Sequence, residues 1–262
     1  MAVRPAHFKI HPVGAILDLI DRAWDLYAAA SVTVVKPSMP ILWFGDSAAY
    51  FNSPVRVVTV GLNPSREEFP DRDRFLRFPG ARSLDPSADP MTRRATYTRA
   101  LDDYFRTAPY RRWFNRGFER VLNGMAASFY DGQPRRALHT DLFSALATDP
   151  TWCRLDDATR ESLIQDGLPL WHDLMRTLEP DVIIVSVARR YLDRISFPRL
   201  GDFHCVHREQ QKRPFLTEAM PIEVVAGKKT TLAFGRCAQV PFGLVSFEAQ
   251  RAIGAAIEAH RD

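Results

Sequence analysis

The sequence predicts an α/β fold: a three-layer α/β/α sandwich with a small, mostly parallel central sheet and an N-terminal helical extension. Three observations predict it. Short apolar runs, "VRVVTV" at 55–60, "ALHTDLF" at 137–143 and "DVIIVSV" at 181–187, read as buried strands, the last apolar throughout as parallel strands covered on both faces are. Stretches with apolar residues at helical spacing lie between them. Strands alternating with helices make a layered domain.

The elements follow in chain order. Residues 13–30 place Ile16, Leu17, Ile20, Trp24 and Tyr27 at roughly helical spacing, an amphipathic helix. The first strand is 55–60. Residues 66–92 carry Pro70, Pro79, Pro86 and Pro90 among many charges and read as an extended loop. Residues 93–130 read as helices packed through Tyr97, Leu101, Tyr104, Phe105, Trp113, Phe114, Phe118 and Leu122. After the strand at 137–143, "ATRESLIQDGLPLWHDLMRTLEP" is one helix or two, stopped at Pro180. "PIEVVAG" and "KKTTLAF" bracket Gly227-Lys228-Lys229 as a hairpin or as two strands of the sheet. "SFEAQRAIGAAIEAHRD" closes the chain as a helix, with Ser246 as its N-cap. The division expected is 1–50 as the helical extension packed on the core and 51–262 as the α/β domain.

With 262 residues, 46% hydrophobic and 25% charged, the chain has ordinary globular composition and enough length for a sizeable core. It has no apolar run long enough to span a bilayer. The N-terminus has no uninterrupted apolar stretch of the signal-peptide kind, so the expected location is cytoplasmic. Cys153, Cys205 and Cys237 are far apart and odd in number, which gives no disulfide framework, zinc pair or four-cysteine cluster. Charge is uneven. Between Arg93 and Arg136 ten arginines face four acids, an excess larger than the net +4 of the whole chain. Arginine outnumbers lysine 30 to 5. That fits phosphate recognition, and a GC-rich genome would give the same bias.

Ligands of parallel sheets bind at the carboxyl ends of the strands. Three segments fall there: Gly61-Leu62-Asn63-Pro64-Ser65, Thr140-Asp141, and "GRCAQVPFGLVS" at 235–246. They would form a pocket containing an Asn, an Asp and a Pro-Phe-Gly turn.

These residues resemble the uracil-DNA glycosylase superfamily, closest to its mismatch-specific and thymine-DNA glycosylase branch. The first motif there is Gly-apolar-Asn-Pro-Gly after a buried strand. The later order also matches: an arginine-rich helical stretch, "TDLF", then "LMRTLEPDVIIVSV", then "VPFGLVS" at 240–246 where the family has Asn-Pro-Ser-Gly-Leu-Ser or His-Pro-Ser-Pro-Leu-Ser. The resemblance covers roughly 55–258. It implies a monofunctional DNA glycosylase without metal or cofactor, acting as a monomer on double-stranded DNA with the target base flipped out. Asn63 would position or activate the attacking water, and Asp141 would read the base. Gly61, Leu62, Pro64, Ser65 and Thr140 would line the base pocket, with Phe75 or Phe78 stacking on the base. Pro241, Phe242, Gly243 and Leu244 would push into the DNA, with Phe242 or Leu244 as the wedge. Arg93, Arg94, Arg111 and Arg112 would grip phosphates, with Gln239 at the same surface.

The departures carry information. Val240 and Phe242 stand where the family has Asn or His and Ser, and Gln239 is the nearest polar replacement. Ser65 replaces the last glycine of the first motif. Asp141 stands at a position usually held by Asn. An ionised carboxylate only accepts hydrogen bonds; it repels uracil O4 but accepts from a cytosine N4 amino group. The substrate expected is therefore a modified or damaged base of cytosine type, such as the hypermodified cytosines of phage DNA, which would make the protein a defence enzyme. Other readings stand beside this one: a uracil or mismatch repair glycosylase, a non-catalytic binder of modified DNA, and a nucleoside- or nucleotide-acting enzyme. At residue level, Asn63 could be a plain Asn-Pro turn and Asp141 a structural carboxylate. His139, His204 and His207 read as structural or exposed, and the arginine-rich stretch as a solvated helix face.

Overall fold

The computed structural model describes residues 13–31, 33–85, 87–210 and 214–261. Residues 1–12 of the N-terminal extension and Pro86 of the long loop lie outside them. A seven-stranded sheet runs β2 (Ala127–Ser128), β3 (Arg135–Asp141), β1 (Val57–Gly61), β4 (Val182–Val185), β7 (Lys228–Gly235), β6 (Phe215–Val225) and β5 (His204–Glu209). Pairings from β2 across to β7 are parallel, and those of β7 with β6 and β6 with β5 are antiparallel. Every residue of β1 and β4 is buried, as expected for central strands covered on both faces.

Two neighbouring residues of β3 reveal the layers. The hydroxyl of Thr140 accepts from Trp171 Nε1 at 3.1 Å, so α6 (Asp157–Leu178) covers one face. His139, the next residue back and therefore on the opposite face, has its ring 5.3 Å from that of Phe118. Phe118 opens α5 (Phe118–Gly124), against which α7 (Phe247–Ala259) packs. Outside α6 lies α1 (Val13–Ala29), tied to it by Arg22 and Asp173 at 2.9 Å. Asp156 caps α6 and Ser246 caps α7, each accepting a backbone N–H. Glu179 ends α6 in the left-handed conformation, φ 48°, just before Pro180. No helix among the described residues is long and apolar enough to cross a membrane.

The chain between α1 and β1 joins the core closely. Val35 and Ile41 donate backbone hydrogen bonds to Ala147 and Ala145, and Phe44 exchanges two with His139. Trp43, Phe44 and Tyr50 are all within 2% of full burial, and Tyr50 lies in α2 (Ser47–Phe51). The stretch expected as helices over 93–130 is broken into α3 (Pro90–Asp102), a 3-10 turn at Tyr104–Arg106, α4 (Arg111–Phe114), α5 and the short β2. The loop expected over 66–92 carries 3-10 turns at Arg66–Glu68 and Pro79–Ser83 and ends where α3 begins. It is anchored by Phe69 and Phe78, both fully buried.

Helices α5 and α7 meet backbone to backbone. A Cβ at Gly254 would lie 1.9 Å from the carbonyl oxygen of Val121, and one at Gly124 2.1 Å from that of Arg251. Space at Gly14, near the start of α1, is open. Gly254→Ala should therefore destabilise the protein by about 1–3 kcal/mol. Gly14→Ala should be neutral or stabilise it by up to about 1 kcal/mol. Urea unfolding of both variants beside the wild type measures the contrast.

Candidate active site

The parallel register pairs Gly61 with Asp141 and Thr59 with His139. Alternation along the strands puts all four on the α5 side of the sheet. Beyond the last pair the two chains stay joined. Leu142 N–H donates to Gly61 O, Phe143 N–H to Leu62 O, Thr148 N–H to Pro64 O and Arg66 N–H to Thr148 O, at 2.9–3.2 Å. The turn Gly61-Leu62-Asn63-Pro64-Ser65 and the loop after Asp141 thus form one structure, although some eighty residues separate them in sequence.

Asn63 is half-buried, and its amide nitrogen donates to Pro64 O and Thr148 Oγ1, both at 2.8 Å. Those bonds orient the side chain and leave Oδ1 without a protein donor among the described residues. Ser65 has an extended backbone, φ −106°, and its hydroxyl caps the following 3-10 turn by accepting from Glu67 N–H. Serine therefore fits where the family motif ends in glycine, and its hydroxyl is occupied as a cap.

Asp141 is 8% exposed. Its Oδ1 lies 3.7 Å from His139 Nε2 and would be 2.5 Å from a Cβ at position 61. His139 Nδ1 meets Thr59 Oγ1 at 2.8 Å, and the rings of Phe44, Phe114 and Phe118 surround the imidazole at 5.1–5.5 Å. His139, read in sequence as structural or exposed, is buried beside the base-reading candidate.

A second carboxyl occupies this region. Glu68 is 5% exposed. Its Oε2 accepts from Tyr104 OH at 2.6 Å, and that phenol oxygen accepts from Tyr110 N–H at 2.9 Å. Arg77 Nε stands 3.8 Å away, but the guanidinium is fixed on the carbonyls of Glu67 and Ala108. Burial pushes the Glu68 carboxyl up to about 7; Tyr104 and Arg77 oppose the shift, and the charges of Asp141 and Glu67 add to it. Sequence reasoning missed Glu68 and Tyr104. The only signal was that Glu68 precedes a phenylalanine, and "REEF" reads as a solvated charge run.

Several expected site residues lie elsewhere. Thr140 is on the opposite face of β3, fully buried against Trp171, because strand alternation turns it away from Asp141. Phe78 is fully buried, stacked on Phe69 at 5.5 Å and close to Tyr104; it is core. Phe75 is half-buried and edge-on to Phe69, which leaves it the stacking candidate. Phe242 is fully buried. Its ring fills the room above Gly235, where a Cβ would lie 2.1 Å from Cε1. It is held with φ 53° by its N–H to Ser186 Oγ and its carbonyl to Gln250 Nε2. The wedge role cannot belong to a ring so enclosed. Leu244, 41% exposed, stands at the loop tip with exposed Gln239 and Gly243, above the buried Pro241.

The arginines divide. Arg94 is paired with Asp21 of α1, Nε to Oδ1 at 3.0 Å. With Arg93 it lines a cavity of about 600 Å³ beside Trp24 and Leu84, a cavity not lined by Asn63 or Asp141. Arg111 and Arg112 are exposed and have no carboxylate partner among the described residues. Arg116, Arg236 and Arg251 share that condition. The acids of the stretch are engaged elsewhere: Asp102 with Trp43 and Ser47, Asp103 with Arg106, Glu119 with Asn123, Ser128 and Phe129, Asp131 with Arg136. The arginine segment adjoins the Leu244 loop, since Pro241 O packs on Gly117 and Gln250 Nε2 donates to Arg116 O. Arg120 lies over the ring of the half-exposed Phe247 at 3.5 Å.

No known protein-family model matches the chain, and no curated protein matches it.

Glu68 gives a test of the buried cluster. The folded state holds the Glu68 proton up to about pH 7, against an ordinary value of 4.5. Between these values the folded chain binds more protons than the unfolded one, so this group's contribution to stability falls as pH rises from 4.5 through 7. Glu68→Gln removes the titration. Its stability relative to wild type should rise by up to ~3 kcal/mol between pH 4.5 and pH 8. Thermal melts of both proteins at the two pH values read this difference.

Proposed function

We propose that the protein is a monofunctional DNA glycosylase that hydrolyses the N-glycosidic bond of a flipped-out, cytosine-type modified base. Excision of hypermodified cytosines from phage DNA is the corresponding biological role. One observation carries the reading. The Asn63 turn and Asp141, the two positions matched to the uracil-DNA glycosylase superfamily, are locked together at the carboxyl ends of paired strands, with Asn63 bonded to Thr148 of the loop after Asp141.

The chemistry follows from charge. Breaking the bond builds positive charge on the sugar and negative charge on the leaving base, and one water must wait at the sugar carbon. Asn63 Oδ1, held by the two bonds of its own nitrogen, accepts from that water. An amide is a poor base, so positioning and electrostatics supply most of the rate. The carboxylate of Asp141 accepts from an exocyclic amino group of the base. Taking the base out of the stack costs a few kcal/mol. Leu244 fills the gap, and Arg111, Arg112, Arg116, Arg236 and Arg251 contact phosphates on either side of it.

The first experiment offers DNAs carrying uracil, a thymine mismatch, hypoxanthine, 5-hydroxymethylcytosine or glucosylated 5-hydroxymethylcytosine, followed by alkaline cleavage of abasic sites. Strand breaks on the modified cytosines are expected, with Asn63→Ala lowering the rate roughly 10²- to 10³-fold while DNA binding persists. Breaks only on uracil would replace this reading with repair. Breaks nowhere, with DNA still bound, would replace it with a non-catalytic role.

Affinity for the same DNA should fall roughly 10²- to 10³-fold between 50 and 200 mM salt if about five phosphates are neutralised. Fluorescence anisotropy across that range measures the slope. A flat response would favour a nucleoside substrate.

A further inference from the structure

Glu68 is a carboxyl group without a structural purpose of the usual kind. Burying an acid is costly unless partners satisfy it. A carboxylate can accept about four hydrogen bonds. Among the described residues Glu68 receives one, from Tyr104, and that bond goes to Oε2. Arg77, the nearest cation, turns Nε and Nη1 to the carbonyls of Glu67 and Ala108, with Nε 3.8 Å from Glu68 Oε2. Such surroundings favour the neutral acid, which has a proton to donate. The residue follows the Asn63 turn directly, on a 3-10 turn capped by Ser65, and its partner Tyr104 packs on Phe44 at 4.8 Å, whose ring lies 5.5 Å from that of His139 beside Asp141.

We propose that Glu68 is a specificity-determining residue: with Asp141 it presents one donor and one acceptor to the edge of a 4-aminopyrimidine base, the Glu68 acid donating to ring N3 and Asp141 accepting from the amino group. This rests on the glycosylase reading above. The pair is complementary to cytosine, whose edge carries an amino donor beside an N3 acceptor. It is anti-complementary to uracil, whose edge carries the O4 acceptor beside an N3–H donor. A donor from Glu68 and an acceptor from Asp141 thus separate the two bases in both hydrogen bonds. A single Asp could do so in only one. Sites built from buried polar groups reject the mismatched partner strongly, because the group left unpaired has no water to turn to.

The charged and titratable groups around Glu68 are Arg77 and Glu67 on its own loop, Tyr104 after α3, and Asp141 with its neighbour His139 on β3. The test measures kcat/KM for 5-hydroxymethylcytosine-DNA and uracil-DNA at pH 6 to 9, for wild type, Glu68→Gln and Glu68→Leu. Glutamine keeps a donor and does not titrate; leucine keeps only bulk. The cytosine-over-uracil ratio should fall at least tenfold in Glu68→Leu and stay within about threefold in Glu68→Gln. In wild type the ratio should decline above pH 7, and in Glu68→Gln it should stay flat. A folded Glu68→Leu with the wild-type ratio would overturn this assignment and leave the glycosylase reading intact. If Glu68→Leu does not fold, parallel pH profiles of wild type and Glu68→Gln would overturn it equally. Wild type that excises neither base would overturn both.

Discussion

The candidate site depends on one missing atom. Gly61 ends β1 opposite Asp141, and a Cβ there would lie 2.5 Å from the Asp141 carboxylate and 3.2 Å from His139 Nε2. Any side chain would push the carboxylate off the strand end or part the two strands. Without it, β1 and β3 stay in register to their last residues, and the chains beyond them are stitched by four more backbone hydrogen bonds. The Asn63 turn takes its place from that stitching. The asparagine held before a proline at a strand mouth has a structural role: its nitrogen fastens the turn to Thr148, and its oxygen has no protein donor among the described residues.

Around that point the molecule tolerates an unusual concentration of buried polarity. His139, Asp141, Glu68, Tyr104 and Thr59 are each no more than 8% exposed, inside a wall of phenylalanine rings. Hydrogen bonds from Tyr104 to Glu68 and between Thr59 and His139 offset part of the cost, and the remainder is expressed as the displaced protonation of Glu68. A low-dielectric wall strengthens whatever electrostatic contact is made there. Under the glycosylase function proposed above, the same burial that weakens the fold at high pH would sharpen discrimination between bases.

Much of the architecture was legible because the physics was local. The fully buried β1 and β4, the helical stretch of α6 with its stop at Pro180 and the Ser246 cap of α7 each announce themselves within a few residues. What failed had non-local causes. β5 is an edge strand, "HCVHRE", with no buried residue and three of its six exposed, so it has no apolar run to read. Phe78 and Phe242 read as functional aromatics because they stand in motif-like turns, and only the tertiary structure shows that both fill core. Thr140 and Asp141 look equivalent in sequence, yet strand alternation sends one to Trp171 and the other to the site. Glu68 was hidden inside a charged run, since burial of an acid leaves no compositional mark.

The seating of Phe242 over Gly235 separates two properties of the last loop. Its path is fixed from beneath, by a ring in the core, a left-handed residue and bonds to Ser186 and Gln250. Its tip, from Gln239 to Leu244, bears none of that load apart from Phe242 and the buried Pro241. Exposed tip residues can therefore drift in evolution without redrawing the loop. What the loop touches could thus be retuned while its shape is inherited unaltered.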